Sequence, residues 1–372
     1  MIRREFSGLS IPLLSLGCMR FPINPRNNRI DIEKTQQIVD FAMEHNINYF
    51  DTAYMYHGGE SEVIIGKCLK KYKRDSYILV DKFPIWECNS EEDLERIFNE
   101  QLTRCDTEYF DIYLLHALNA GNFQRVQQLH AYEFILSKKR QGKIRKIGFS
   151  FHDSPEVLKE IVDTYRWDFA QIQHNYMDAT LQRSNEQYKI LTDAGIAVLV
   201  MEPVRGGGLA AFPEPVEDIF KGYNKDASIA SYAIRWVASH DNVATVLSGM
   251  SNMEQIIDNT RTLSDFKPLA PEEYKLIDDA LEMLVKIETI PCTACNYCNV
   301  CPQNIEIKEI FKIYNDFVKT KNGDCGKAEY SKIPDQNNAS ACIKCGICSN
   351  HCPQHIDISV IIEKVHDKLS NK

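Results

Sequence analysis

The sequence predicts an α/β protein, a (β/α)8 TIM barrel followed by a smaller, mainly helical, cysteine-rich domain. Short, nearly continuous apolar runs alternate with amphipathic helical stretches over residues 1–265, as expected for parallel strands that are buried on both faces. Most of the thirteen cysteines then crowd into residues 292–301 and 342–352. We therefore predict two domains, residues 1–287 and residues 288–372.

Eight apolar runs have the length and composition of barrel strands. They are LLSLGCM (13–19), NINYFDTA (46–53), YILVDKF (77–83), FDIYLLH (110–116), KIGFSF (146–151), FAQIQHN (169–175), GIAVLVM (195–201) and ATVLSGM (244–250). Eight such units in about 250 residues are typical of a (β/α)8 barrel. The alternative is a doubly wound open sheet, which usually has a G-x-G-x-x-G turn after its first strand. The segment LGCMRFP has no such turn.

Helices are predicted between the runs and in the cysteine-rich region. Ser90 and Asp93 form a predicted N-terminal cap, and Ser154 precedes a proline at a first helical position. A long helix is expected from Pro271 to about residue 287. The spacers 305–317 and 358–369 also have helical patterns.

Composition and charge exclude several classes of protein. The net charge is −9, whereas a nucleic-acid surface needs clustered lysine and arginine. No run is apolar for long enough to cross a membrane. The N-terminal segment has arginines but no long apolar core, so we expect no signal peptide and a cytoplasmic location.

The crowded cysteines indicate metal binding, because a reducing cytosol disfavours structural disulfides. The second run, Cys342-x2-Cys345-x2-Cys348-x3-Cys352-Pro, matches the pattern of bacterial two-cluster ferredoxins. The first run, Cys292-x2-Cys295-x2-Cys298-x2-Cys301-Pro, is one residue shorter in its last gap. The alternative is structural zinc held by paired C-x2-C motifs.

We predict two [4Fe–4S] clusters with crossed fourth ligands in a helical, ferredoxin-like domain. In that pattern three close cysteines hold one cluster and the cysteine before proline holds the other. The first set is Cys292, Cys295, Cys298 and Cys352. The second set is Cys342, Cys345, Cys348 and Cys301.

Four polar residues lie at or just after the ends of predicted strands, where barrel active sites lie. They are Asp51, Tyr56, Lys82 and His116. Each alone has a structural explanation, as a helix cap, a buried core histidine or a solvated strand end. Together they suit carbonyl reduction, in which the carbonyl oxygen must receive a proton. A tyrosine hydroxyl donates it, a lysine ammonium lowers the pKa of that hydroxyl, a carboxylate holds the lysine, and a histidine orients the carbonyl.

These four residues, with DTAYMYHGGESEVIIG (51–66), make residues 10–265 similar to the aldo-keto reductases. The whole chain resembles the bacterial branch of that family that carries a C-terminal iron–sulfur domain. The resemblance implies an Asp–Tyr–Lys–His tetrad and a nicotinamide cofactor, NADP or NAD, bound at the barrel mouth. It places Ser150 and Gln171 at the carboxamide, and Met201 where an aromatic residue often stacks on the nicotinamide.

The resemblance also implies contacts to the rest of the nucleotide. Arg205 lies in the loop EPVRGGGL (202–209) and suits the pyrophosphate. Ser248, Gly249, Ser251 and Asn252 precede a helix whose N-terminus suits a phosphate, and Asn259 matches an adenine contact. Gly249 and Gln255 stand where NADPH-specific members carry lysine and arginine, so the choice between NADP and NAD stays open.

The function predicted is NAD(P)H-dependent reduction of a small carbonyl substrate, or the reverse reaction, with clusters for structure or electron exchange. Two alternatives remain at this stage. One is an electron-transfer protein that serves a redox protein partner, and the other is a nicotinamide-sensing scaffold. No nucleic acid and no membrane are expected as partners.

Overall fold

The computed structural model describes residues 1–320 and 323–370, which form two compact units. The first unit comprises Met1–Val204 and Ser231–Leu269, and the second comprises Arg205–Ala230 and Ala270–Lys372. These units divide the chain at residues other than 287, because helix Pro271–Leu284 contacts helix Glu214–Tyr223. The functional division into residues 1–287 and 288–372 stays a prediction.

The first unit contains a closed barrel of eight parallel strands. In chain order they are β1 Leu14–Gly17, β2 Tyr49–Asp51, β3 Ile78–Phe83, β4 Phe110–Leu118, β5 Ile144–Phe151, β6 Phe169–Gln173, β7 Ala197–Met201 and β8 Val243–Ser248. Each strand pairs with the next, and β8 pairs with β1. All eight predicted strands are confirmed, and the open doubly wound sheet is excluded.

The strands are apolar because both of their faces are covered. Every residue of β3 and of β8 is buried, as expected for a parallel sheet enclosed by helices. The helices around the barrel are Ile32–Glu44, Glu60–Leu69, Glu91–Arg104, Ala120–Gln128, Ala131–Arg140, Pro155–Thr164, Asp178–Leu181, Ser184–Asp193, Ile229–Ala238 and Met253–Ser264.

The two predicted helix caps are present. The Asp93 carboxylate accepts the backbone N–H of Ser90 at 3.3 Å, at the start of helix Glu91–Arg104. The Ser154 hydroxyl accepts the N–H of Val157 at 3.5 Å, with Pro155 in the first helical position. Both caps supply partners for N–H groups that the helix itself leaves unpaired.

A short N-terminal hairpin was not predicted from the sequence. Strands Arg3–Phe6 and Leu9–Pro12 pair antiparallel, and their connection, Ser7 and Gly8, has two positive φ angles of 47° and 79°, as a tight two-residue hairpin turn requires. Phe6 and Ile11 are buried against residues from several barrel strands. A second ribbon pairs Ile23–Asn24 with Arg29–Ile30.

The second unit is mainly helical. Its helices are Glu214–Tyr223, Pro271–Leu284, Ile307–Thr320, Gly323–Tyr330, Ile347–Asn350 and Ile358–Leu369. The helices predicted from Pro271 and in both spacers are therefore confirmed. Isoleucines and aromatic residues of the two spacer helices form a shared core that also contacts Cys298, Cys301 and Cys348.

None of the helices within residues 1–320 and 323–370 combines the length and the apolar character needed to cross a membrane.

A buried histidine follows strand β6 and makes the stability of the barrel sensitive to acid. His174 is fully buried, its ring stacks on Tyr188, and it lies 4.9 Å from the rings of Trp236 and His240. Its Nδ1 pairs with the Ser184 hydroxyl at 2.8 Å, while its Nε2 has no hydrogen-bond partner in the described part of the chain. Burial, with a smaller effect of His240, lowers the pKa of His174 to about 3.

We expect the free energy of unfolding to fall as pH decreases from about 6.5 toward 3. In that window His174 is protonated in the unfolded chain but neutral in the folded chain. The free energy of unfolding therefore falls by about 1.4 kcal/mol for each pH unit. The measurement is urea unfolding followed by tryptophan fluorescence at several pH values. His174→Phe should flatten this dependence, whereas His130→Gln, an exposed control, should not. An unchanged pH dependence in His174→Phe would contradict the assignment.

Candidate active site and cysteine sites

The ends of three neighbouring strands bring the four predicted catalytic residues together. Asp51 ends β2, Lys82 is the penultimate residue of β3, and His116 lies near the end of β4. Tyr56 stands in a turn after β2. The parallel register pairs Asp51 with Val80, so the carboxyl ends of these strands lie side by side.

Lys82 is the centre of the polar contacts among these side chains. Its ammonium forms a salt bridge with the Asp51 carboxylate. It also donates to the Thr52 carbonyl at 2.8 Å and contacts the Tyr56 hydroxyl at 3.2 Å. Asp51 and Lys82 are each 1% exposed, so their charges interact with little screening from solvent.

His116 completes the group through ring contacts. Its ring lies edge-on to that of Tyr56 with centroids 6.0 Å apart, and 5.1 Å from the ring of Trp86. Burial, Lys82 and His152 lower the pKa of His116 well below its usual value. The imidazole is therefore neutral near pH 7 and retains one N–H donor. Trp86 was not predicted as a site residue, although its position four residues after Lys82, just beyond the end of β3, could have indicated one.

The predicted lowering of the Tyr56 pKa is wrong. Burial and the Asp51 carboxylate raise the pKa of the Tyr56 hydroxyl well above its usual value. Burial also raises the pKa of Asp51, against the opposing effect of Lys82. The phenol consequently keeps its proton at neutral pH, which is the form that a proton donor needs.

Three predicted nicotinamide contacts lie on adjacent strands. Ser150 on β5 is paired in register with Gln171 on β6, and both are 1% exposed. The Ser150 hydroxyl accepts the N–H of Ala117 at 2.7 Å. Gln171 Nε2 lies 3.7 Å from the sulfur of Met201, while Gln171 Oε1 is buried without a hydrogen-bond partner among the described residues. An unsatisfied buried amide oxygen suits a ligand that brings a donor, as a carboxamide does.

The residues predicted to bind the far end of the nucleotide cluster at helix Met253–Ser264. Asn252 caps the helix by accepting the N–H of Gln255 at 2.9 Å, and the Gln255 side chain accepts the N–H of Ser251 at 2.7 Å. Asn259 Nδ2 donates to the Ser248 hydroxyl at 3.2 Å. Gln255 therefore serves the helix cap and places no positive charge there.

An ion pair that the sequence did not reveal lies beside this helix. The Arg20 guanidinium is 3.1 Å from the Glu202 carboxylate. A Cβ atom at Gly249 would come within 2.9 Å of the Arg20 side chain, so the arginine lies directly over Gly249. Arg20 follows β1 and Glu202 follows β7. Because they are far apart in the sequence, no local pattern predicts this contact.

Arg205 belongs to the second unit, where its guanidinium donates to the Pro291 carbonyl at 3.3 Å. The neighbouring Gly206 has a φ of 64°, and a Cβ atom there would come within 2.2 Å of the Thr293 carbonyl oxygen. Arg205 and Gly206 are therefore closely packed against the start of the first cysteine run. Its predicted contact with a pyrophosphate stays a prediction.

One cavity of the second unit gathers cysteines from both runs. Cys342, Cys345, Cys348 and Cys301 line it together with isoleucines and Gly346. Three of these cysteines come from the second run, and the fourth is the last cysteine of the first run. This is the second of the two predicted ligand sets.

The remaining cysteines of the pattern are also near one another. Burial and the neighbouring Cys295, Cys292 and Cys352 raise the pKa of the Cys298 thiol to about 12. Cys352 is the last cysteine of the second run, and it lies near Cys298 of the first run. The backbone N–H of Ala294 lies 3.4 Å from the Cys292 sulfur. Backbone donors of this kind stabilise negatively charged sulfur.

The two runs share an unusual backbone conformation. In and just after the first run, Ala294, Asn296 and Asn304 have φ values of 54°, 72° and 53°, and the equivalent residues in and just after the second run have 55°, 74° and 52°. The equivalent residues are Lys344, Gly346 and His355. Left-handed residues other than glycine are uncommon and concentrate at functional sites. The runs are thus two copies of one local structure.

Within residues 1–320 and 323–370, no three histidine, cysteine or acidic side chains converge closely enough to hold a single metal ion. The choice between zinc and iron–sulfur clusters therefore stays a prediction from the cysteine spacing.

Comparisons with known proteins agree with this fold. The model of the "Aldo/keto reductase family" matches residues 13–282. The "Uncharacterized oxidoreductase YqkF" of Bacillus subtilis is 26% identical over 73% of this chain and 93% of its own length. The "NADH-specific methylglyoxal reductase" of Escherichia coli is 25% identical over 59% of this chain and 79% of its own.

A solved structure gives the same result. The holo form of an aldo-keto reductase from Bacillus halodurans is 26% identical, covers 75% of this chain and 96% of its own, and superposes with a TM-score of 0.60. The family model spans most of the chain. This chain therefore belongs to the aldo/keto reductase family and is an NAD(P)-dependent oxidoreductase.

Proposed function

We propose that the protein reduces a small aldehyde or ketone to the alcohol, or catalyses the reverse, with Tyr56 as the proton donor. The observation that carries this proposal is the arrangement around Lys82, whose ammonium contacts both the Asp51 carboxylate and the Tyr56 hydroxyl. This arrangement suits turnover more than a purely scaffolding role, because a cation beside the Tyr56 hydroxyl stabilises the phenolate that proton donation leaves behind.

Each residue of the tetrad has a separate task in this proposal. Bound nicotinamide would supply the hydride. The Tyr56 hydroxyl donates its proton to the carbonyl oxygen, and the Lys82 ammonium stabilises the phenolate that remains. Asp51 keeps Lys82 in place. Neutral His116 donates a hydrogen bond that orients the carbonyl oxygen.

The proposed nucleotide site uses residues that fit its chemistry. Ser150 and Gln171 would hold the carboxamide, with Met201 beside the ring, and Gln171 Oε1 lacks a partner among the described residues. Ser248, Gly249, Ser251, Asn252, Gln255 and Asn259 would hold the phosphate and adenosine end. The Escherichia coli relative is NADH-specific by name. NADH and NADPH therefore both belong in the test.

The test is consumption of NADH and of NADPH by the anaerobic holoprotein with a panel of aldehydes and ketones. We expect substrate-dependent loss of nucleotide absorbance and formation of the corresponding alcohol. Product analysis is needed because absorbance alone does not distinguish carbonyl reduction from electron leakage. If both nucleotides bind yet no carbonyl on the panel is reduced and no alcohol is oxidised, the result would contradict the proposed reaction and favour a nicotinamide-sensing scaffold.

We also propose that the second unit binds two [4Fe–4S] clusters, one per ligand set. The support is the cavity that joins Cys301 to Cys342, Cys345 and Cys348, together with the repeated left-handed backbone of the two runs. The clusters would stabilise this unit or exchange electrons with a redox protein partner.

A further inference from the structure

The face of β3 opposite to Lys82 carries a buried pair of carboxyl groups that the proposed chemistry does not use. Asp81 precedes Lys82, so its side chain points away from the barrel interior toward the surrounding helices. Glu62, in helix Glu60–Leu69, meets it there. Both side chains are 0% exposed, and their carboxyl groups are hydrogen-bonded to each other. Two carboxyl groups in such contact must share a proton, because both cannot be ionised so close together.

This pair is connected to the backbone of Lys82. The Lys82 N–H donates to Asp81 Oδ1 at 2.8 Å, and the Lys82 carbonyl accepts from Gln101 Nε2 at 3.0 Å. Pairing between β2 and β3 ends at Asp51 and Val80. Lys82 stays in register with Leu114 of β4, but on the β2 side its backbone groups lie beyond the last strand pair, and buried side chains satisfy them instead.

The remaining contacts decide which carboxyl group carries the charge. Glu62 Oε2 accepts from Arg104 at 2.9 Å, and Glu62 Oε1 accepts from Gln101 at 3.1 Å. The Gln101 oxygen in turn accepts from the Tyr113 hydroxyl. Because Glu62 has a cationic partner, the shared proton belongs to Asp81. Burial and the Glu62 carboxylate raise the pKa of Asp81 well above its usual value.

We propose that the carboxyl pair of Asp81 and Glu62, with Gln101, acts as a set of positioning residues that fixes the Lys82 backbone and thereby aims the Lys82 ammonium at Tyr56. This inference rests on the proposed carbonyl reduction. The ammonium reaches the Tyr56 hydroxyl at 3.2 Å, and a displacement of about 1 Å in such an arrangement costs roughly 10²-fold in rate.

Several titratable groups face Asp81 from the elements packed around it. They are Glu62, Arg104, Cys105, Tyr113, Cys18 and Lys82. The Cys105 sulfur is 3.8 Å from Asp81 Oδ2, and burial raises the thiol pKa of Cys105 well above its usual value. Cys105 therefore stays neutral, so Glu62 is the neighbour that shares the proton.

The test compares an amide with an apolar residue at position 81. Asp81→Asn keeps an oxygen for the Lys82 N–H and a donor for Glu62, so we expect kcat within about twofold of wild type. Asp81→Leu removes both, and we expect kcat to fall by about 10²-fold with nucleotide affinity unchanged. Equal kcat values for wild type and Asp81→Leu would overturn the proposal, and so would an Asp81→Asn variant as slow as Asp81→Leu.

An infrared measurement tests the shared proton independently of activity. The wild-type protein should show the carbonyl stretch of a buried protonated carboxyl group at neutral pH, and Asp81→Asn should lack it. Asp111→Asn is the matched control, because Asp111 is equally buried but forms ion pairs with Arg74 and Arg145. If the band is missing from the wild type, or survives in Asp81→Asn, the shared proton is refuted. A wild type that shows the band but reduces no carbonyl would instead refute the proposed function.

Discussion

Tyr56→Phe is expected to lower kcat for carbonyl reduction by about 10²–10⁴-fold, the usual loss when one general acid is removed. The change deletes a single oxygen, the one that lies 3.2 Å from the Lys82 ammonium. The ring remains in place against His116. Because the proposed nucleotide contacts come from other residues, the dissociation constant for NADH or NADPH should stay close to that of the wild type. Steady-state kinetics and fluorescence titration of the nucleotide measure the two quantities.

The neighbouring Tyr54→Phe is a matched control for this variant. The Tyr54 hydroxyl donates to Glu100 at 3.0 Å, outside the group around Lys82, so its loss should leave kcat unchanged. A Tyr56→Phe variant that turns over at the wild-type rate would show that another group donates the proton. A variant that loses nucleotide binding as well would point to a misfolded site.

Cys352→Ala should remove one iron–sulfur cluster and leave the other intact. In the crossed assignment Cys352 completes the set with Cys292, Cys295 and Cys298, although it lies in the other run. The variant should therefore reproduce the EPR spectrum of Cys295→Ala, with about half of the iron and labile sulfide of the wild type. If its spectrum matches that of Cys345→Ala instead, each run holds its own cluster and the crossing is wrong.

The variant Cys301→Ala tests the crossed assignment for the other cluster. Cys301→Ala should reproduce the spectrum of Cys345→Ala, because both residues line the same cavity. Cys325→Ala is the control, since Cys325 is exposed and lies outside both runs. Zinc in place of iron, with no EPR signal after reduction, would refute the clusters altogether.

The barrel could be predicted from the sequence because its strands are buried on both faces and therefore appear as apolar runs. The convergence of Asp51, Lys82 and His116 followed from the same prediction, since the carboxyl ends of adjacent parallel strands must lie together. The hairpin at residues 3–12 was missed because RREF and LSIP are too short and too polar to indicate strands.

Other features depend on tertiary contacts that leave no local pattern. Asp81 and Glu62 look like ordinary charged residues in the sequence, and only the packing of helix Glu60–Leu69 against β3 joins them. The predicted direction of the Tyr56 pKa shift was wrong for a related reason. The ammonium of Lys82 was visible as a neighbour, whereas the opposing effects of burial and of Asp51 depend on how deeply the site is enclosed.

The N-terminal hairpin packs at the end of the barrel where the strands begin, whereas the proposed catalytic residues lie at the end where the strands finish. Phe6 and Ile11 pack with Tyr49 and Phe169, the residues that begin β2 and β6, so the hairpin closes the floor of the barrel. The tetrad lies at the rim, where the strands end. Mutations that reshape the rim loops for a new substrate therefore leave this foundation untouched. Such a scaffold can evolve new specificities at one pole while its folding is secured at the other.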